Sequence, residues 1–240
     1  MKILDDLIST LNLEAPVKDI RQGVFHTGVL TRNCGLAASL PKDALRQSPP
    51  LVTGPGFLLE KNASELVKMA FSERILEAAM GMAAINSLLE VDASACLELN
   101  AAELIMQKGK GKKIAIVGHF PFLAAVRKHA DTLWVIEKNP SGDDFNEQDA
   151  DTLIPQADVV GLTGTSLTNH TLDHLLNLCR PETFVVMLGD TTPLCPVLFD
   201  YGIDALAGTQ VVDSELALRC VSQGANYRQI KGVKKLTMIR

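Results

Sequence analysis

With 240 residues, 47% of them hydrophobic and 21% charged, the chain is long enough to bury a substantial core and too apolar to stay disordered. A formal net charge of −5 argues against the basic face that nucleic acid demands. Five isolated cysteines without a C-x-x-C pair argue against a structural zinc site and a disulfide framework alike.

The N-terminus, Met1-Lys2-Ile3-Leu4-Asp5-Asp6, carries acids where a signal peptide would continue apolar, and no run approaches a membrane span, so a cytoplasmic protein is expected. Ile3, Leu4, Leu7, Ile8 and Leu11 predict a short amphipathic helix over 2–12. Residues 17–40, rich in Val, Ile and Phe with polar residues interleaved, predict two or three antiparallel strands with a turn near Asn33. Pro49-Pro50 and Gly54-Pro55-Gly56 mark a loop. Asn62 with Glu65 forms a candidate capping box. From Leu66 through Leu89 a long helical region is almost wholly apolar around Ala78-Ala79-Met80-Gly81-Met82-Ala83-Ala84, which predicts a helix packed on several sides. Asn86 interrupts that run, either as a satisfied core amide or as a site residue.

From about Lys112 the pattern alternates. Strands are predicted at 113–118, 133–137, 158–162, 183–189 and near 205–212. Helices are predicted at 121–129, 147–153, 168–179 and 213–222. Such alternation marks a parallel sheet with helices on both faces. The expected fold is α/β: a small α+β domain over 1–98, then a Rossmann-like, mostly parallel sheet over 99–240. The basic run from Lys108 to Lys113 reads as a solvated lead-in to the first of those strands.

Right-handed crossovers bring the C-terminal ends of parallel strands to one edge of the sheet, where such folds bind ligands. The residues expected there are Gly118-His119-Phe120, Glu137-Lys138-Asn139, Thr163-Gly164-Thr165-Ser166 and Gly189-Asp190-Thr191-Thr192. One glycine at the first turn, in place of G-x-G-x-x-G, does not imply a dinucleotide; a small-molecule site is expected. His119 is placed as a general base or metal ligand, or as a helix cap. Glu137, nineteen residues after Gly118, stands about where a Rossmann unit puts the acid that takes ribose hydroxyls. Thr163 to Thr171, including Asn169, offers hydroxyls and a free backbone beside a helix start. His170 and His174 have a metal-gripping spacing, but Thr171 stands where H-E-x-x-H needs its glutamate, so both are read as solvent-facing. Cys195, between Pro193 and Pro196, is read as packed.

Gly118-His119-Phe120-Pro121-Phe122, Glu137-Lys138-Asn139-Pro140, Thr163-Gly164-Thr165 with Asn169 and Thr171, Gly189-Asp190-Thr191-Thr192-Pro193-Leu194, and Gly202-Ile203-Asp204 with Ala207-Gly208 together resemble a former domain-of-unknown-function family now labelled a heavy-metal chelation domain. Gly81-Met82-Ala83-Ala84-Ile85-Asn86 resembles a Gly-x-Ala-x-x-Asn helix of its N-terminal part. The resemblance implies an enolase N-terminal-like domain followed by a Rossmann-like domain, with the site between them. It also implies a divalent heavy metal or its chelate, or condensation or hydrolysis of pterin-, flavin- or siderophore-like molecules. His119 and Glu137 are then the catalytic candidates. Gly118, Phe120, Asn139, Thr163, Gly164, Thr165, Asn169, Gly189, Asp190, Thr191 and Asn86 are the ligand-binding ones. The expected partners are a small-molecule ligand or metal chelate and, as an assembly, a homodimer; nucleic acid and membrane are not expected.

Two other readings stand beside this one. A nucleotide- or S-adenosylmethionine-using transferase would put Glu137 on the ribose and the Gly118 turn beside the tail. A non-catalytic binding protein would keep the fold without chemistry.

Overall fold

The computed structural model describes residues 2–49 and 51–240. The N-terminal part opens with the helix Lys2–Ser9, whose Ile3, Leu4 and Leu7 are buried. Three strands follow, β1 (Asp19–Gln22), β2 (His26–Leu30) and β3 (Cys34–Ala38), paired antiparallel in the order β1-β2-β3. Their connection turns over Thr31 to Asn33, where the Asn33 amide reaches the Ser87 carbonyl. Gly54-Pro55-Gly56 lies in irregular backbone; Pro50, the other half of the predicted loop signal, lies outside the described residues.

Asn62 and Glu65 form the capping box that starts the helix Ala63–Lys68. The continuous helix predicted from Leu66 to Leu89 is divided. A short 3-10 turn (Met69–Phe71) and an extended Ser72 precede a separate helix, Ile75–Leu88. The division has a local cause: the Ser72 hydroxyl accepts the Arg74 amide and donates to Glu77, offering the backbone an alternative to the helical ladder. Close packing, as the small residues suggested, does hold for the second helix. A Cβ on Gly81 would stand 2.0 Å from the Ala70 nitrogen, so only glycine permits that approach.

The C-terminal part is a seven-stranded sheet in the order β10-β9-β8-β7-β4-β5-β6. Its strands are β4 (Lys113–Val117), β5 (Thr132–Glu137), β6 (Phe145–Asn146), β7 (Val159–Thr163), β8 (Phe184–Leu188), β9 (Ala205–Val211) and β10 (Val233–Ile239). All neighbours are parallel except β9 and β10. Sequence alternation anticipated β4, β5, β7, β8 and β9 but neither edge strand, nor the helix Ala101–Lys108 that leads into β4. The predicted helix 168–179 is two helices, Thr165–Thr168 and Leu172–Asn177. Asn169 breaks it by accepting both the amide and the hydroxyl of Thr171 on its own side chain, and His170 between them takes φ 60°.

Chain order explains where a site belongs. From β4 the chain builds outward to β5 and β6, then returns to the other side of β4 for β7, β8 and β9. The reversal between β4 and β7 opens a crevice at the strands' C-terminal ends. One continuous core joins the N-terminal helices to one sheet face, with Leu4, Leu66, Met82 and Ile85 in the same cluster as Ala115, Leu162, Met187 and Leu206. A second cluster, including Ile105, Ile114, Ile116 and Val186, covers the opposite face. No helix among the described residues is long and apolar enough to cross a membrane.

Candidate functional site

Three parallel strands end the same way. The amides of Gly118, Gly164 and Gly189 each prolong the ladder past the strand by bonding the carbonyl of Ile136, Leu188 and Ala207 respectively. Gly118 and Gly189 then turn at φ 112° and 113°, a conformation that side chains rarely adopt. Gly164 is needed for room: a Cβ there would meet the Thr192 nitrogen at 2.6 Å. The chain therefore leaves each strand sharply, and the residues after it wall a cleft of about 960 Å³. That volume is within the range of small-molecule sites, roughly 300–1,000 Å³.

The cleft gathers many of the residues expected at the strand ends: His119, Phe120, Thr163, Gly164, Thr165, Gly189, Asp190 and Thr191. Its other walls come from places the sequence did not signal. Phe25, His26 and Ala38 arrive from the N-terminal sheet, and Leu99 to Ala101 from the connecting segment. Tyr227, Arg228 and Lys235 arrive from the C-terminal segment and β10. The N-terminal part grips the Gly189–Thr192 turn directly. His26 Nε2 lies 3.1 Å from Asp190 Oδ2, the Ala38 amide donates to Thr191 Oγ1 at 2.9 Å, and Asn86 Nδ2 donates to the Thr191 carbonyl at 3.2 Å.

His26 is the cleft's main residue that sequence reasoning missed. Its side chain and that of Asp190 are each 7% exposed, and the other Asp190 oxygen accepts from Thr209 Oγ1 at 2.5 Å. With Nε2 directed at the carboxylate, Nδ1 is buried without a hydrogen-bond partner among the described residues. No local signal in Gly23-Val24-Phe25-His26 announces this, because the pairing exists only once β2 docks on the strand ends.

The remaining predicted residues do not line the cleft. Glu137 sits behind its wall, its carboxyl engaged by the backbone amides of His119 and Lys138; burial, the dominant influence, pushes its pKa above the ordinary carboxyl range. Gly118 supports the wall from beneath, close to the Phe120 ring and Thr163. Asn169 is used in its own turn, and Asn139 is half-buried outside the cleft. Asn86 faces a second cavity of about 500 Å³, shared with Cys34, Asp92 and Thr209, while its amide nitrogen bridges Leu36 of β3 and Thr191. His119 is held loosely, with Nδ1 3.3 Å from Asp144 Oδ2 and its side chain 58% exposed.

These donors do not suit a bare heavy metal. No group of three His, Cys, Asp or Glu side chains is placed to hold an ion among the described residues. His170 and His174 serve separate partners, the Ala70 carbonyl at 2.8 Å and Asp151 at 2.8 Å. No cysteine lines the cleft. Burial, with Asp19 nearby, pushes the Cys34 thiol up to about 12, and burial pushes Cys179 up to about 11, which disfavours the thiolate at both in the free protein.

A family model described as "Putative heavy-metal chelation" (DUF364) matches residues 100–240, and a second with the same description (DUF4213) matches 4–89. An uncharacterized protein of Methanocaldococcus jannaschii is 32% identical over 194 residues, covering 75% of this chain and 73% of that one. The crystal structure of a DUF364 protein of unknown function from Desulfitobacterium hafniense aligns with a TM-score of 0.86 at 26% identity, covering 100% of this chain and 98% of that one. A second, from Pyrococcus horikoshii, aligns at 0.85 with 23% identity over the same shares and speaks to the fold alone.

Proposed function

The chain belongs to the DUF364 family, and from that premise we propose that it binds a small organic chelator, or the metal chelate such a molecule forms, in the cleft at the strand ends. One observation carries the reading: a cleft sized for a small molecule, built by both parts of the chain, lacks a set of protein donors for a metal among the described residues. The metal's ligands would then come from the organic molecule, and the metal is cargo. Protein hydroxyls and backbone at Thr163–Thr165 and Gly189–Thr191 would orient the molecule's polar edge. Phe25, Phe120 and Phe122 would exclude water from its ring, the latter two being stacked with centroids 5.3 Å apart. Pterin-, flavin- and siderophore-like molecules share that combination of flat ring and polar edge.

A second reading, hydrolysis or condensation of the bound molecule, draws its support from His26. Asp190 fixes the ring, and Nδ1, unpartnered among the described residues but buried, would serve as the base only in a complex that opens a path to it.

Calorimetric titration of the purified chain tests the binding reading. The panel holds a pterin, a flavin, a catechol chelator with and without ferric ion, S-adenosylmethionine, and bare divalent metal salts. At least one organic member should bind and raise the melting temperature, by about 2.7 kcal/mol of stability at a hundredfold excess over Kd. It should also slow hydrogen exchange across Gly189–Thr192. Stoichiometric binding of bare metals with no organic ligand bound would contradict it, and tight S-adenosylmethionine binding would favour a transferase.

A further inference from the structure

We propose that the cleft selects a flat ligand that carries an oxyanion, held at the lip by Arg228 and Lys235. This rests on the cleft being the binding site, and adds the charge class of what it takes. Two acids, two cations and two histidines line the cleft. Both acids are answered: Asp190 by His26 and Thr209, and Glu98 by Lys234, 3.6 Å away. The cations are not. Arg228 has no side-chain hydrogen bond or ion pair, and Lys235 rests only on the Tyr227 ring, 3.3 Å from its centroid, among the described residues. In a chain of net charge −5, two cations without carboxylate partners leave positive charge unspent at one lip.

Their placement is fixed rather than fortuitous. Asn226 accepts the Arg228 amide on its side chain at 3.0 Å and the Gln229 and Ile230 amides on its carbonyl, while its own amide donates to Gln229 Oε1. Ile230 anchors the turn in the core at 6% exposure. Lys235 stands on β10, in register with Thr209 of β9, the residue that holds Asp190. Lys235 therefore comes from backbone paired with the residue that holds Asp190, and Arg228 from a turn pinned by its own hydrogen bonds and by Ile230. Three of the chain's eight phenylalanines and one of its two tyrosines line the same space, which favours a ring over an aliphatic acid. A carboxylate or phosphate on that ring would meet a guanidinium fork and an ammonium whose opposite charge is not yet spent.

Calorimetry with 2,3-dihydroxybenzoate and with catechol, the same chelating ring without its carboxylate, isolates the charge. Phenyl phosphate, with phenol as its neutral control, reports whether phosphate serves as well as carboxylate. The acids should bind at least tenfold tighter than their neutral partners, and the advantage should shrink between 50 and 500 mM salt on the order expected from screening. Arg228→Ala and Lys235→Ala should each weaken acid binding about fivefold and together erase the preference, with a smaller loss for catechol; Lys235→Arg should retain it. Both side chains are exposed, so the fold should tolerate the changes. Equal binding of acid and neutral rings, with Gly189–Thr192 protected from exchange, overturns the charge selection and leaves the cleft reading standing. Binding of neither ring, or preference unaltered in the double variant, also overturns the selection. Failure of the cleft reading itself would show instead as tight binding that protects residues remote from Gly189–Thr192.

Discussion

His26 and His119 both line the cleft and both lie close to an aspartate, 3.1 Å from Asp190 and 3.3 Å from Asp144. The first pair is 7% exposed on both sides, whereas the second leaves its imidazole 58% exposed. Alike in chemistry, they differ in what surrounds them. Water can replace Asp144 for the exposed His119 ring, and Asp144, itself 8% exposed, keeps the Ser141 amide and hydroxyl as donors without it, so that pair fixes little. Nothing replaces Asp190 for His26, and the bond joins β2 to the turn after β8, so it fixes the cleft's shape. Burial, more than residue type, separates the two roles.

Alanine at each histidine breaks or sharpens that comparison. His26→Ala leaves a buried carboxylate short of a partner and should cost about 2–4 kcal/mol in urea unfolding, whereas His119→Ala should cost less than about 1 kcal/mol. Equal losses would sink the distinction. Gly164→Ala tests the turn that His26 grips from the opposite side. Its Cβ would meet the Thr192 nitrogen at 2.6 Å and the Thr192 hydroxyl at 2.7 Å, so the Thr191-Thr192 backbone must move. A loss of about 1–3 kcal/mol is expected, together with weaker ligand binding. An unchanged stability and affinity would mean that this turn does not shape the site.

The smallest effect concerns Glu137, behind the His119 wall. Because its folded pKa is raised, chiefly by burial, the folded state holds a proton that the unfolded state has released. Stability from this group is thus greatest below the ordinary glutamate range and declines as pH rises toward the raised value. Glu137→Gln should remove that decline and leave stability flatter with pH just above the ordinary carboxyl range. A variant whose pH profile matched the wild type would place the carboxyl in water.

Much of this was legible in the sequence, for physical reasons that also explain the gaps. Strands β4, β7 and β8 are largely buried and apolar, and each ends in a turn signal, so the strand-end residues His119, Thr163–Thr165 and Gly189–Thr191 could be placed beforehand. Strand β10 was not, because Val-Lys-Lys-Leu-Thr-Met-Ile puts two adjacent lysines in an edge strand where alternation should appear. That omission hid Lys235 and, with it, one wall of the cleft. The helix break at Ser72 was masked because the apolar pattern resumes at Ile75 after the polar run Ser72-Glu73-Arg74. His26 depended on docking between distant segments, 164 residues apart, and pairings of that kind have no local signature. Glu137 lay at the expected strand end, yet its carboxyl turned to the His119 amide, a choice set by the loop's backbone.

A crystal structure of the chain soaked with a ferric catechol-carboxylate chelate, with iron located from its anomalous signal, tests the central claim most directly. The account predicts one iron peak inside the cleft, with the organic ligand against Phe120 and the Gly189–Thr191 turn. Iron should then be coordinated by that ligand and not by protein side chains. Iron bound directly to histidine, cysteine or carboxylate side chains, or a chelate seated outside the cleft, would contradict it.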